Sequence, residues 1–222
     1  MGKFFNLDAP IVQAVGKVGQ MMITTITWLL FCLPVVTAGA ATVALCRIMM
    51  NLKEDKSCAF AEFVRIFREN FKKGTVLWLI LLGCIGVLAA GFYLVVLVEN
   101  AVLRMAALLI FCLLFFLTYI AAIYVFPLTA YFENTVLGTI RNAIGMGLAN
   151  LRQTIFCIAL TLLPLVLMLV SMKLFVMLLF MLIILGPGAI CYGQMCLLLP
   201  VFHRYTPGYE NEKKKTSNER CH

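Results

Sequence analysis

Five long runs without a single Asp, Glu, Lys or Arg determine what this chain can fold into. They occupy residues 18–46, 74–98, 105–132, 153–172 and 174–203. A helix that crosses the hydrocarbon core of a bilayer needs roughly 20 apolar residues, so each run suffices for one crossing. Because 63% of the residues are hydrophobic and only 13% are charged, a water-soluble fold could not cover the chain with a polar surface. The sequence therefore predicts an all-α, polytopic transmembrane bundle of about five spans, in a single membrane domain over residues 1–206.

The Lys and Arg residues are distributed unevenly between the two sides of the membrane. With five crossings, segments 47–73, 133–152 and 204–222 share one side and hold 14 of the 18 Lys/Arg residues. The positive-inside rule places that side, and the C-terminus, in the cytoplasm. The sequence thus predicts a multi-pass protein of the bacterial cytoplasmic (plasma) membrane, with its N-terminus outside.

An alternative keeps four crossings and lets residues 18–46 dip into the membrane and return to the side they left. The turning point would be residues 33–39, since Pro34 removes a helix hydrogen bond and Gly39 is flexible. The N-terminal lysines then join the cytoplasmic side, which holds 16 of the 18 basic residues. The sequence leaves both topologies open.

The two ends of the chain carry their own signals. Ala38-Gly39-Ala40 resembles a signal-peptide cleavage site, but cleavage would leave an exported N-terminus with seven Lys/Arg in residues 47–73. Positive residues resist export, so an uncleaved first segment is preferred. Asp8 as a cap and Pro10 in a first turn predict an interfacial helix near the N-terminus, with a disordered tail as the alternative. Residues 207–222 are rich in Lys, Glu, Asn and Ser and predict a disordered cytoplasmic tail.

Catalytic and metal-binding patterns are missing from the sequence. The nine cysteines form no CxxC pair, and the only histidines are His203 and His222, so no zinc-site spacing occurs. No nucleophile–base pair is recognisable, and no charged residue lies inside a predicted span, which disfavours a proton-coupled carrier. We therefore expect no enzyme activity, no cofactor and no metal. The chain has a net charge of +8, and its basic residues flank the apolar runs. This pattern predicts the lipid bilayer, and no nucleic acid, as the partner of the chain.

Helix-breaking residues near the middle of the first and last runs suggest a midplane binding site. Two interrupted segments can expose helix ends to a ligand, although kinks that let helices pack closely would give the same pattern. The residues of this candidate midplane site are Pro34, Thr37, Gly39, Gly186, Pro187, Gly188 and Gln194.

A second candidate is an amphipathic stretch in the basic segment 47–73. Phenylalanines recur there at steps of three and four beside basic residues, as in a helix that rests on anionic lipid or binds a partner protein. The residues of this candidate surface face are Phe60, Phe63, Arg65, Phe67, Arg68, Phe71 and Lys72.

Several short strings are similar to those of a known family. They are Phe5-Asn6-Leu7-Asp8-Ala9-Pro10, Trp28-Leu29-Leu30, Leu33-Pro34-Val35-Val36-Thr37-Ala38-Gly39-Ala40, Ala44-Leu45, Asn70-Phe71-Lys72, Val125-Phe126-Pro127-Leu128, Glu133-Asn134-Thr135 and Arg141-Asn142-Ala143, with Phe63, Phe67 and Trp78. Together they resemble the YesL family of bacterial cytoplasmic-membrane proteins. The resemblance implies no established activity and no catalytic residues. It implies an association with carbohydrate uptake and utilisation systems.

These observations favour an accessory or scaffold membrane protein whose partners are transporter subunits or further copies of the chain. The alternative is a small-solute carrier or channel that uses the candidate midplane site. An enzyme acting on lipid or glycan is disfavoured, because the sequence offers no nucleophile–base pair.

Overall fold

The computed structural model describes residues 10–54, 56, 60–97, 99–170 and 172–205. Within these residues every regular element is helical, which confirms the all-α prediction. The elements are α1 (Pro10–Cys32), a 3-10 turn (Val35–Thr37), α2 (Ala38–Lys53), α3 (Phe60–Val96), α4 (Ala101–Tyr131), α5 (Val136–Ala149), α6 (Leu151–Val170) and α7 (Met172–Tyr205). The predicted tail, residues 207–222, and the predicted cap Asp8 lie outside the described residues.

Several of these helices are long and apolar enough to cross a membrane. Five described segments qualify on their own: Val15–Cys32, Val35–Lys53, Phe60–Val96, Ala101–Tyr131 and Leu185–Tyr205. α5 and the first part of α6, which meet at a bend of 101°, qualify together as a sixth. The number of segments that qualify on their own agrees with the five spans predicted. The segments themselves differ, because the first apolar run supplies two of them.

The predicted span 18–46 is divided into two antiparallel helices. α1 ends at Cys32, and Pro34 has an extended backbone (φ −77°, ψ 112°) before the 3-10 turn. Proline both lacks the N–H that would continue α1 and disfavours a helical conformation at the residue before it. The indole Nε1 of Trp28 in α1 donates to the hydroxyl of Thr42 in α2 at 3.3 Å, so the helices lie side by side across the turn. The turn falls within residues 33–39, where the four-crossing alternative placed it.

The hydroxyl of Thr37 closes this turn. It lies 2.6 Å from the carbonyl oxygen of Phe31 and 2.8 Å from that of Pro34. The Phe31 carbonyl belongs to the last turn of α1, where carbonyls lack intrahelical N–H partners, and the Pro34 carbonyl also accepts from the Thr37 N–H at 2.9 Å. Thr37 thus helps to hold α1 and α2 as a hairpin.

α2 is the central helix of the fold. Eleven of its 16 residues are buried, and it contacts α1, α3, α4 and α7. Small residues at its start bring α3 very close: a Cβ placed on Gly74 of α3 would lie 2.7 Å from the Cα of Ala40. Such contacts between small residues are how helices associate closely in a membrane.

α3 contains both a charged segment and an apolar segment, which the sequence predicts to be a polar connection and a span. The charged residues 60–73 and the apolar residues 74–96 form one helix, Phe60–Val96, of 37 residues. At 1.5 Å per residue this helix is about 55 Å long, whereas the hydrocarbon core is roughly 30 Å thick. The polar connection after α2 is correspondingly short, since α2 extends to Lys53.

Candidate functional sites

A cavity of about 340 Å³ lies where α1, α2, α4, α6 and α7 meet, and we call it the central cavity. Its walls are mostly apolar, which is typical of small-molecule sites. Its polar side-chain groups come from Trp28, Thr42, Tyr119, Thr161 and Gln194, and Pro187 lies in its wall.

Most polar groups of the central cavity are already hydrogen-bonded to the protein. The side-chain amide of Gln194 donates to the hydroxyl of Thr161 at 2.9 Å, and that hydroxyl donates to the carbonyl of Cys157 at 2.7 Å. The Gln194 amide retains a carbonyl oxygen and a second N–H hydrogen. The Gln194 amide therefore offers a ligand in the cavity a place to form hydrogen bonds.

The structure brings together only part of the candidate midplane site. Pro187 and Gln194 line the central cavity, whereas Pro34, Thr37 and Gly39 do not. The last three lie at the α1–α2 turn, where the Thr37 hydroxyl is bonded to that turn's own backbone.

The predicted break in the last run is part of a continuous helix, because Pro187 lies inside α7. The glycines beside it allow close packing: a Cβ on Gly188 would lie 2.3 Å from the hydroxyl oxygen of Thr25 in α1. Gly188 therefore lets α7 pack closely against α1.

The candidate surface face is also divided. Phe63 is only 2% exposed and packs with Ala44 and Ile48 of α2. The ring of Phe67 lies 4.8 Å from that of Phe31 in α1. Two of the four predicted surface phenylalanines thus contact the protein instead of lipid or a partner. The residues of the set that stay exposed are Phe60, Phe71, Arg65, Arg68 and Lys72.

Two basic residues that sequence reasoning assigned to a polar loop are structural. Lys53, at the end of α2, donates to the carbonyl of Cys196 in α7 at 3.0 Å. That carbonyl lacks its usual helical partner, because the residue four positions on is Pro200, which has no N–H. Arg47 likewise donates to the carbonyl of Ala130 in the last turn of α4 at 3.0 Å. For Lys53 the available signal was Pro200, a proline inside an apolar run that leaves a carbonyl in need of another donor.

Two further observations concern a pair of cysteines and possible metal ligands. The buried thiols of Cys46 and Cys191 lie 3.6 Å apart in the wall of the central cavity, and both are free cysteines. In the part of the chain that the structure describes, no three His, Cys, Asp or Glu residues are grouped to hold a metal ion.

A second, larger hollow of about 590 Å³ lies between the end of α4, one face of α5 and the end of α7, and we call it the α4–α5–α7 pocket. Sequence reasoning did not identify it as a site. Its polar residues include Asn134, Arg141 and Asn142, which also belong to strings that carry the family resemblance. The sequence signal for this pocket is a pair of adjacent polar residues, Arg141 and Asn142, on a predicted helix.

Comparison with known proteins gives one match. Residues 21–92 match a family described as "Protein of unknown function, DUF624". The match covers most of the α1–α2 hairpin and most of α3, including the contact between Ala40 and Gly74. No curated protein matches the chain, and no solved structure does.

Proposed function

We propose that this chain is an accessory or scaffold protein of the bacterial cytoplasmic membrane that serves a carbohydrate-uptake system. The resemblance to the YesL family motivates the carbohydrate assignment. The chain also matches a family of unknown function, and that match names no activity that would conflict with the carbohydrate assignment. In this proposal the protein positions a partner and does not catalyse a reaction.

The proposed orientation follows from the α1–α2 hairpin. Because the two helices are antiparallel, Lys17 near the start of α1 and Lys53 at the end of α2 come to the same end. With α3–α4 and α6–α7 each crossing and returning, 16 of the 18 Lys/Arg residues lie on one side. The positive-inside rule makes that side the cytoplasm and places both termini there.

The observation that carries the proposal is the charged half of α3. All charged residues of this helix fall within residues 60–73, and this part is rigidly continuous with an apolar span. Arg65 lies 3.8 Å from both Glu62 and Glu69. Arg68 and Lys72 are exposed and form no ion pair with any described residue.

This arrangement suits protein docking better than lipid contact alone. Phe63 and Phe67 anchor the charged half of α3 to α1 and α2, so its exposed side is presented in a fixed geometry. A preorganised surface loses less conformational freedom on binding. Exposed basic side chains steer an acidic partner towards it.

A pull-down in mild detergent from the native host tests the accessory role. The tagged chain would be recovered from cells grown with and without complex carbohydrate, and its partners quantified by mass spectrometry. We expect a transporter component in a stoichiometric amount, and its loss from the Arg68→Glu/Lys72→Glu variant. The control is Arg152→Glu, a charge reversal at an exposed residue of α6. Recovery of the chain alone in both growth conditions would contradict the proposal.

A carrier for small solutes is the second candidate, and the central cavity favours it. Its volume of about 340 Å³ lies within the range of small-ligand sites, and the Gln194 amide retains hydrogen-bonding capacity there. The test is uptake of labelled sugars by vesicles containing the purified protein. Flux that falls in Gln194→Leu would support a carrier, and the absence of flux for every sugar would count against it.

A further inference from the structure

We propose that the α4–α5–α7 pocket binds a phosphate-bearing anion through Arg141, with Asn134 and Asn142 as additional donors. This inference does not depend on the accessory role. It rests on the shape of the pocket, on the unpaired charge at its rim and on the way α5 presents the donors.

The pocket has an apolar floor and a polar, exposed rim. Leu128 of α4 and Met146 of α5 are 1% and 7% exposed and belong to the floor. Arg141 and Asn142 are exposed at the rim, together with Tyr205 at the end of α7. A ligand with a charged head and an apolar part would contact both regions.

α5 turns one face towards the pocket. The lining residues from this helix are Arg141, Asn142, Gly145, Met146 and Ala149, and their spacing of three to four residues places them on one side. Gly145, one turn beyond Arg141, has nothing within 4 Å of the place where a Cβ would lie. The pocket is therefore open beside Gly145.

The start of α5 fixes the remaining donor. The hydroxyl of Thr135 accepts from the N–H of Gly138 at 3.3 Å and caps the helix. Asn134 directly precedes this cap and lines the pocket, so it lies beside the N-terminus of α5. Helix N-termini favour anions because their N–H groups are unpaired.

The positive charge of Arg141 is not neutralised by the described part of the protein. The ion pairs found there join residues 54–69 only, and Glu133 does not line the pocket. The side chains of Asn134 and Asn142 likewise have no hydrogen bond to a described residue. A guanidinium provides five N–H donors in a planar arrangement that matches phosphate oxygens, and each amide adds two.

A phosphate group fits this set of donors better than a carboxylate does. Three side chains around the pocket offer more donors than the two oxygens of a carboxylate can use, whereas a phosphate presents three or four oxygens. Two sources could supply it, an anionic phospholipid headgroup or a soluble phosphate compound. The apolar floor suits the first, and the experiment below distinguishes them.

The test uses the full-length protein purified in a neutral detergent and freed of lipid. One arm counts bound phosphatidylglycerol by native mass spectrometry, with phosphatidylcholine as the uncharged comparison. The other arm titrates inorganic phosphate by calorimetry. Arg141→Gln and Arg141→Lys are compared with Arg152→Gln, which removes an exposed arginine that does not line the pocket.

We expect Arg141→Gln to weaken binding about 10- to 100-fold, the usual cost of losing charge-assisted hydrogen bonds. Arg141→Lys should fall between, because lysine keeps the charge but not the paired donors. Arg152→Gln should bind like the parent protein. Dependence on Arg141 in the phosphatidylglycerol arm alone identifies a lipid site, and the same dependence for inorganic phosphate identifies a soluble ligand. Equal losses in Arg141→Gln and Arg152→Gln, or no loss in either arm, would overturn the proposal.

Discussion

Replacing Gly74 by alanine tests how closely α2 and α3 depend on one another. The added methyl would lie 2.7 Å from the Cα and 2.9 Å from the backbone nitrogen of Ala40. Backbone atoms cannot rotate aside as a side chain can. The two helices must therefore separate by nearly 1 Å to restore ordinary van der Waals contact.

The size of the effect follows from what this separation breaks. Further along the same helix pair, Phe63 and Ile66 of α3 pack against Ala44 and Ile48 of α2, and a gap of 0.5–1 Å loses about a quarter to a half of each contact energy. Overpacking of this kind lowers the free energy of unfolding by about 1–3 kcal/mol. Because alanine favours a helix over glycine by about 1 kcal/mol, the packing loss must exceed that gain for destabilisation to appear.

Gly83 provides the matched control on the same helix. A Cβ there meets nothing within 4 Å, so Gly83→Ala gains helix propensity without a clash. Stability would be measured as the unfolding equilibrium in mixed micelles of neutral detergent and dodecyl sulfate. We expect Gly74→Ala to unfold more readily than the parent chain, with a net loss in the free energy of unfolding of up to about 2 kcal/mol, and Gly83→Ala to unfold no more readily. Equal behaviour of the two variants would refute the close α2–α3 contact.

The remaining predictions concern two hydrogen bonds between helices. Lys53→Met leaves the carbonyl of Cys196 unpaired and should destabilise the protein by about 1–3 kcal/mol in the same assay. Adding Pro200→Ala restores an N–H for that carbonyl and should reduce this loss. An unchanged loss in the double variant would contradict the explanation. Tyr124→Phe removes the bond of 2.9 Å between the Tyr124 hydroxyl and the hydroxyl of Thr154 and should cost about 1 kcal/mol. Thr154→Ala should cost more, because it leaves the buried tyrosine hydroxyl without this partner. Unchanged stability of Tyr124→Phe would show that the bond does not stabilise the fold.

The sequence predicts the fold class and most helix positions because lipid imposes simple rules. Charge-free runs of sufficient length must be helical in a bilayer, and α4 (Ala101–Tyr131) accordingly matches the predicted span 105–132 closely. The first run was harder, since its length allowed one span or a hairpin. Pro34 favours the hairpin, but it is the hydrogen bond from Trp28 to Thr42 that shows the chain turning back.

The candidate sites were less predictable, because periodicity shows which residues share a face but not what covers that face. The phenylalanines at steps of three and four do form one stripe, yet Phe63 and Phe67 of that stripe contact α1 and α2. Tertiary contacts of this kind leave no signal in the local sequence. The same limit applies to Gln194, whose partner Thr161 lies on another helix.

The proposed orientation depends most on the α1–α2 hairpin returning to the side where the chain starts. Epitope tags at Met1 and at His222, and a third inserted at Asn100 between α3 and α4, would be exposed to protease in intact spheroplasts and again after permeabilisation. We predict that both terminal tags are digested only after permeabilisation, whereas the tag at Asn100 is digested from the outside. Digestion of the Met1 tag in intact spheroplasts, with the His222 tag still protected, would contradict the hairpin topology and restore five crossings.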